Sequence, residues 1–128
     1  MMLKLPVLTG PTKPLPDAED LAEQLRALAE PNRLRIIALL RDSERCVCEI
    51  EAASGLSQSL VSNHLRVLRR AGLVEARRDT VDARWIYYRL DKEAVDLLIA
   101  RLADLLDLSS FDPRPVDCTP DGRPVRSP

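Results

Sequence analysis

The chain has 128 residues, enough for one domain with a modest core, and its single Trp, single Phe and two Tyr leave that core to Leu, Val, Ile and Ala. A formal net charge of −1 excludes a uniformly polybasic protein, and no apolar run approaches a membrane span, so no membrane partner is expected. Three cysteines suit metal or redox chemistry better than a structural disulfide framework.

The opening segment, MMLKLPVLTGPTKPLP, is too short in its apolar stretch and too Pro-rich for a signal peptide, which argues for a cytoplasmic protein. Pro6, Pro11, Pro14 and Pro16 make residues 1–16 a flexible N-terminal arm. Asp17 is placed to cap a first helix with Leu21, Leu25, Leu28 and Ala29 on its apolar face. Pro31 ends that pattern and opens a second helix, with Asn32 and Arg33 near its start. Leu34, Ile37, Ala38 and Leu40 are its expected buried stripe. A short helix over Val47–Ala53 follows, and Gly55 marks a tight turn. Ser57 is a good N-cap for a helix reaching about Ala71, with Gly72 as its C-terminal cap. LVEARRD and RWIYYRL read as two strands joined by TVDA. Asp91 caps a last helix carrying Val95, Leu98, Ile99, Leu102, Leu105 and Leu106. Residues 109–128 form a Pro-rich C-terminal tail holding Cys118.

The order is four helices, a hairpin and a final helix, ααααββα. This is a mainly α winged helix-turn-helix over residues 17–108, with the β-hairpin as the wing. From Ser57 to Leu90 seven arginines (66, 69, 70, 77, 78, 84, 89) face three acids (Glu75, Asp79, Asp82), the footprint of a polyanion such as double-stranded operator DNA. Val61, Leu65 and Leu68 face the core, which leaves Gln58, Ser59, Ser62, Asn63 and Arg66 outward. With Ser57, these short amides and hydroxyls suit base edges and phosphates at a helix start. Arg77, Arg78 and Arg84 on the wing suit backbone or minor-groove contacts. The lone His64 reads as packed or capping rather than as a ligand. Leu21 and Leu25 with Leu98, Leu102 and Leu105 expose more apolar surface than one copy covers, so a two-fold homodimer is expected.

The stretches LAEPNRLRIIALL, CVCEI, GLSQSLVSNHLRVLRRAGLV and RRD…RWIYYRL together resemble the arsenic repressor (ArsR/SmtB) family of metal-sensing repressors, over residues 20 to 106. The resemblance implies a dimer that sits on an operator and lets go when metal binds. In the family's zinc and nickel sensors the last helix carries acids and histidines, whereas DKEAVDLLIARLADLLD has no histidine. Arsenic and cadmium/lead sensors carry CVCD ahead of the reading helix, which Cys46, Val47, Cys48 and Glu49 match with Glu for Asp. The arsenic pattern has a third cysteine three residues later, where this chain has Glu51.

Three soft thiolates suit As(III) or Sb(III), the inducers expected here, while zinc would want a fourth ligand. On a regular helix Cys46 and Cys48 would lie about 200° apart, so sharing one ion requires a frayed or distorted helix start. Cys118 is the expected third ligand, because the chain from Leu108 can stretch up to about 33 Å, within its own subunit or across the dimer. Cd(II) or Pb(II) on the same thiols is one alternative, and a thiol redox repressor in which Cys118 pairs with Cys46 or Cys48 is another. An enzyme is not expected: the sequence has no phosphate-binding glycine loop and no catalytic pairing for its histidine.

Overall fold

The computed structural model describes Leu15 and residues 17–114, in the order α1 (Ala18–Leu28), α2 (Pro31–Leu40), α3 (Val47–Ser54), α4 (Gln58–Arg70), β1 (Val74–Arg78), β2 (Ile86–Leu90) and α5 (Lys92–Leu105). The expected ααααββα winged helix-turn-helix is the fold. The arm at residues 1–14 and Pro16 and the tail at 115–128, Cys118 included, lie outside the described residues.

Local chemistry sets most boundaries. Pro31 occupies the first turn of α2, and the Glu30 carboxylate caps it by accepting from the Asn32 N–H at 2.9 Å. Ser57 caps α4 by accepting from Leu60 N–H at 3.3 Å, and Asp91 caps α5 by accepting from Ala94 N–H at 3.1 Å. At the other end of α4, Gly72 takes φ +79°, Leu73 N–H bonds Leu68 C=O and Gly72 N–H bonds Arg69 C=O. That is a Schellman closure, which favours glycine because an L side chain resists a positive φ. Gly55 (φ +76°) makes the turn between α3 and α4 in the same way.

The core is aliphatic, as the composition requires. Ile36, Leu40, Ile50, Val61, Leu65, Leu68, Leu73, Val74 and Leu98 are buried in one cluster, in which α3 and α4 pack on α2 and the hairpin and α1 packs on α2, α4 and α5. Each such side chain contributes about 1.5–3 kcal/mol by leaving water.

The structure corrects several sequence expectations. Asp17 precedes α1 in a left-handed conformation (φ 58°) and makes no side-chain cap; its carbonyl instead accepts from Leu21 N–H at 3.0 Å and from Arg101 Nη2 at 3.2 Å. Within α1, Leu21 and Ala27 are buried, while Leu25 and Ala29 are exposed. Ile36 and Leu40 form the buried line of α2; Leu34 and Ala38 face outward. The run IIALL is apolar on every side, so its periodicity cannot fix the phase, and packing against α3 and α4 does. The wing loop covers residues 79–85 rather than TVDA alone, because β2 begins at Ile86. The strands pair antiparallel, with Val74 opposite Leu90 and Arg78 opposite Ile86.

His64 is packed, as read from the sequence. Arg33 Nη1 lies 3.4 Å from its Nδ1, and Glu30 Oε2 lies 3.3 Å from its Nε2.

Candidate nucleic-acid interface and thiol site

The exposed face of α4 is the one the sequence indicated. Gln58, Ser59, Ser62, Asn63 and Arg66 are all exposed, opposite buried Val61, Leu65 and Leu68. Ser57 is committed to capping, and its Oγ also lies 3.3 Å from Ser59 Oγ. Asn63 Oδ1 accepts from Arg66 Nη1 at 3.1 Å, which orients the guanidinium along the outward face and leaves the Asn63 amide N–H groups for an acceptor.

The wing arginines are less free than their sequence suggests. Arg77 donates through a fork to Glu44, Nε to Oε2 at 3.1 Å and Nη2 to Oε1 at 2.5 Å, and lies 5.2 Å over the ring of Tyr87. Each partner holds the other charged: Glu44 falls below the usual carboxylate range through the Arg77 hydrogen bond, and Arg77 rises through the same contact. Arg84 is forked onto Asp82 at 3.0 and 2.7 Å. Arg78 donates to the Ala83 carbonyl, and Arg89 pairs with Glu75 at 2.6 Å. Of the seven arginines counted along the sequence, three are therefore matched by a carboxylate.

Arg69 and Arg70, both exposed, were in the count of positive charge but received no role. Arg69 lines a cleft of about 280 Å³ with Ala76, Arg78, Ile86 and Tyr88, between α4 and the wing. Arg66, Arg69 and Arg70 line a neighbouring cleft of about 450 Å³. Their sequence signal is present in "RVLRR", but only the packing of the hairpin beside α4 joins Arg69 to Arg78.

The thiols sit where α3 begins. Cys46 is the N-cap, in extended backbone (φ −84°, ψ 168°), and Cys48 lies in the first turn. An extended cap does not follow helical geometry, so the two sulfurs are not on opposite faces: Sγ of Cys46 and Sγ of Cys48 stand 2.7 Å apart. The departure from regular helix that their meeting requires is supplied by this extended cap, with α3 itself undistorted. Glu49 Oε1 accepts from the Cys46 N–H at 2.9 Å and fixes the cap. Cys46 is buried and Cys48 exposed. Burial, then the contact with Cys48, pushes the Cys46 thiol above its ordinary pKa. Among the described residues, no three His, Cys, Asp or Glu side chains converge as a metal-binding group. The pair offers two soft sulfur donors.

The residues expected at a dimer face divide. Leu21 and Leu98 are buried within the subunit, and Leu102 packs partly against the same cluster. Leu21 and Leu98 are covered by their own chain rather than left as apolar surface, whereas Leu102 keeps part of its side chain at the surface. Leu25 and Leu105 remain exposed, joined by Leu97, Ile99, Leu106, Leu108 and Phe111. No helix among the described residues is long and apolar enough to cross a membrane.

Residues 30–76 match the family described as bacterial regulatory protein, arsR family. A transcriptional repressor SmtB homolog of Synechocystis sp. is 42% identical over 95 residues, 74% of this chain and 70% of that protein. The arsenic resistance transcriptional regulator ArsR1 of Pseudomonas putida is 40% identical over 83 residues, 64% of this chain and 62% of its own length. Among solved structures, the homodimeric winged helix-turn-helix DNA-binding domain (fragment 1–100) Mb0332 of Mycobacterium bovis superposes with a TM-score of 0.57 at 37% identity, covering 70% of this chain and 81% of that one. The order of elements, the outward polar face of α4 and these likenesses agree, and the chain belongs to the ArsR/SmtB family of winged helix-turn-helix transcriptional regulators rather than to any class of enzyme.

Proposed function

We propose that the chain is a thiol-dependent repressor: its apo homodimer binds operator DNA, and arsenite or antimonite taken up by Cys46, Cys48 and Cys118 releases it. The observation that carries this reading is the 2.7 Å approach of the Cys46 and Cys48 sulfurs at the N-cap of α3, the helix packed directly on the DNA-reading helix. Bound there, a trivalent metalloid would cross-link the thiols. Cys46 holds the cap backbone, Cys48 offers the solvent-facing sulfur, and Cys118 is assigned as the third donor because the described residues provide no other thiol.

Cd(II) or Pb(II) is the alternative inducer at the same pair. Glu49 is the carboxylate closest at hand to complete a cadmium shell, but it is engaged with the Cys46 N–H. Using it would strip the cap from α3, which favours an ion satisfied by three sulfurs. DNA is held by Gln58, Ser59, Ser62, Asn63 and Arg66 in the major groove, with Ser57 N-capping the reading helix, Arg78 on the backbone beside the wing, and Arg84 joining it only when Asp82 lets go. Arg77 is withdrawn from that set, since Glu44 occupies it.

An operator-release assay with single variants tests the reading. Cys46→Ser and Cys48→Ser should abolish release by arsenite, and Cys118→Ser should weaken it, all three retaining operator binding. Release of all three by arsenite as readily as wild type would sink the proposal. Release by peroxide with no response to any of the four ions would replace it with a dithiol-oxidation repressor, for which the sulfur–sulfur approach is equally suited.

A further inference from the structure

The residues just ahead of the thiol pair are fastened to the wing. Arg45 exchanges both backbone hydrogen bonds with Tyr88 of β2, its N–H donating to the Tyr88 carbonyl at 3.0 Å and its carbonyl accepting from the Tyr88 N–H at 2.8 Å. Residue 45 thereby extends the wing by a single bridge, and the next residue is Cys46. The Arg45 side chain donates to the Leu39 carbonyl at 2.9 Å, near the end of α2. One residue earlier, Glu44 receives the fork from Arg77 of β1, and Arg77 lies over Tyr87, its cross-strand neighbour.

We propose that Glu44 and Arg77 are positioning residues that carry the state of the Cys46–Cys48 pair to the wing, so that an inducer displaces the hairpin as well as the reading helix. The proposal deepens the thiol-sensor reading above and rests on it. The peptide joining residues 45 and 46 contains the Arg45 carbonyl that Tyr88 N–H holds. Moving the Cys46 backbone out of its extended cap conformation rotates that peptide. The bridge must then either break or drag β2 along. A single bridge is weak alone; the Glu44–Arg77 fork, stacked on Tyr87, ties the same segment to β1 and makes the hairpin follow. Both side chains of the fork are about a third exposed (31% and 36%), where such a pair adds little stability, so loosening it leaves the fold standing.

The test variant is full-length Glu44→Gln, read against wild type for operator affinity with and without arsenite, for arsenite affinity by thiolate absorbance, and for emission of Trp85, the one tryptophan, which lies on the wing. Arsenite affinity should stay within about twofold of wild type, and apo operator affinity should hold or rise as Arg77 is freed. The factor by which arsenite weakens operator binding should fall at least about fivefold, a sizeable part of a typical coupling between sites. An undiminished release factor overturns the proposal. Should arsenite, antimonite, cadmium and lead all fail to release wild type, the thiol-sensor reading fails instead. The connection is then measured in a Cys118→Ser background alkylated with iodoacetamide: hydrogen exchange at the Tyr88 amide and Trp85 emission should change in that protein and not in its Glu44→Gln counterpart. Equal changes in both also overturn it.

Discussion

Arg84 shows how a side chain's neighbours revise what its identity implies. It is placed on the wing as a DNA contact, yet Asp82 holds it by two hydrogen bonds and is itself held below the usual carboxylate range by that arginine. Asp82→Asn keeps an acceptor and removes the charge. Operator affinity should rise, and the slope of log affinity against log salt should steepen by up to about 0.9, the value of one added phosphate contact; an unchanged slope would mean that Arg84 never reaches DNA. Cys46 supports a second prediction, which separates the two candidate inducers. Its raised pKa keeps it protonated near neutrality. A divalent cadmium ion must expel that proton, so Cd(II) affinity should climb by about tenfold per pH unit for each proton displaced, up to the thiol pKa. Arsenous acid brings hydroxyl groups that leave as water with the thiol protons, so its affinity should be flat over the same range. Calorimetry from pH 6 to 8 measures both slopes.

At the level of elements, the caps and turns were readable and the phases were not. Pro31, Ser57, Gly72 and Asp91 each act as their chemistry dictates, because a cap involves residues three or four apart and needs no tertiary partner. Asp17 fails for a related reason: its left-handed backbone turns the carboxylate away from the free N–H groups of α1. The Glu30 cap gives an acid-stability prediction. The Asn32 N–H, more than the nearby His64 and Arg33 charges, holds the Glu30 carboxyl below its ordinary pKa. A carboxylate depressed in the folded state stabilises above its unfolded value, near 4.3, and loses that contribution as pH falls through the lower folded value. Glu30→Gln should therefore flatten the fall in thermal midpoint between pH 5 and 3 while leaving a smaller, pH-independent loss at pH 7. A parallel fall in both proteins would remove Glu30 from acid unfolding.

For the whole molecule, the exposed apolar set on α5 is the feature that one subunit leaves unexplained. Leu97, Ile99, Leu105 and Leu106 are exposed on a helix whose inner side is already satisfied by Leu98. A two-fold partner is the occupant consistent with a family that has homodimeric members. Replacing Ile99 and Leu105 together by Glu should convert the protein to monomers in sedimentation and weaken operator binding at least about tenfold, since two linked half-sites bind far better than one. Far-UV circular dichroism should be unchanged, because neither side chain belongs to the core. A dimer that survives both substitutions would place the interface elsewhere.

The sequence by itself determined the element order, the helix-turn-helix with its wing, the outward face of α4 and the presence of a thiol pair beside it. All of these follow from information local in the chain: hydrophobic period, caps, glycine turns and a short motif. Tertiary structure alone decided which apolar residues of α2 and α5 are buried, which wing arginines are neutralised, and that the two sulfurs meet. The buried faces and the Arg77 fork depend on partners far along the chain, whereas the Arg84 pair and the meeting of the sulfurs depend on local backbone geometry that residue identity alone does not give. Glu44 and Arg77 are 33 residues apart, and no periodicity brings them together. The CVCE segment shows both sides: its residues announce thiol chemistry and Glu49 closes its cap locally, but the bridge from Arg45 to Tyr88 arises only once the hairpin is folded against it.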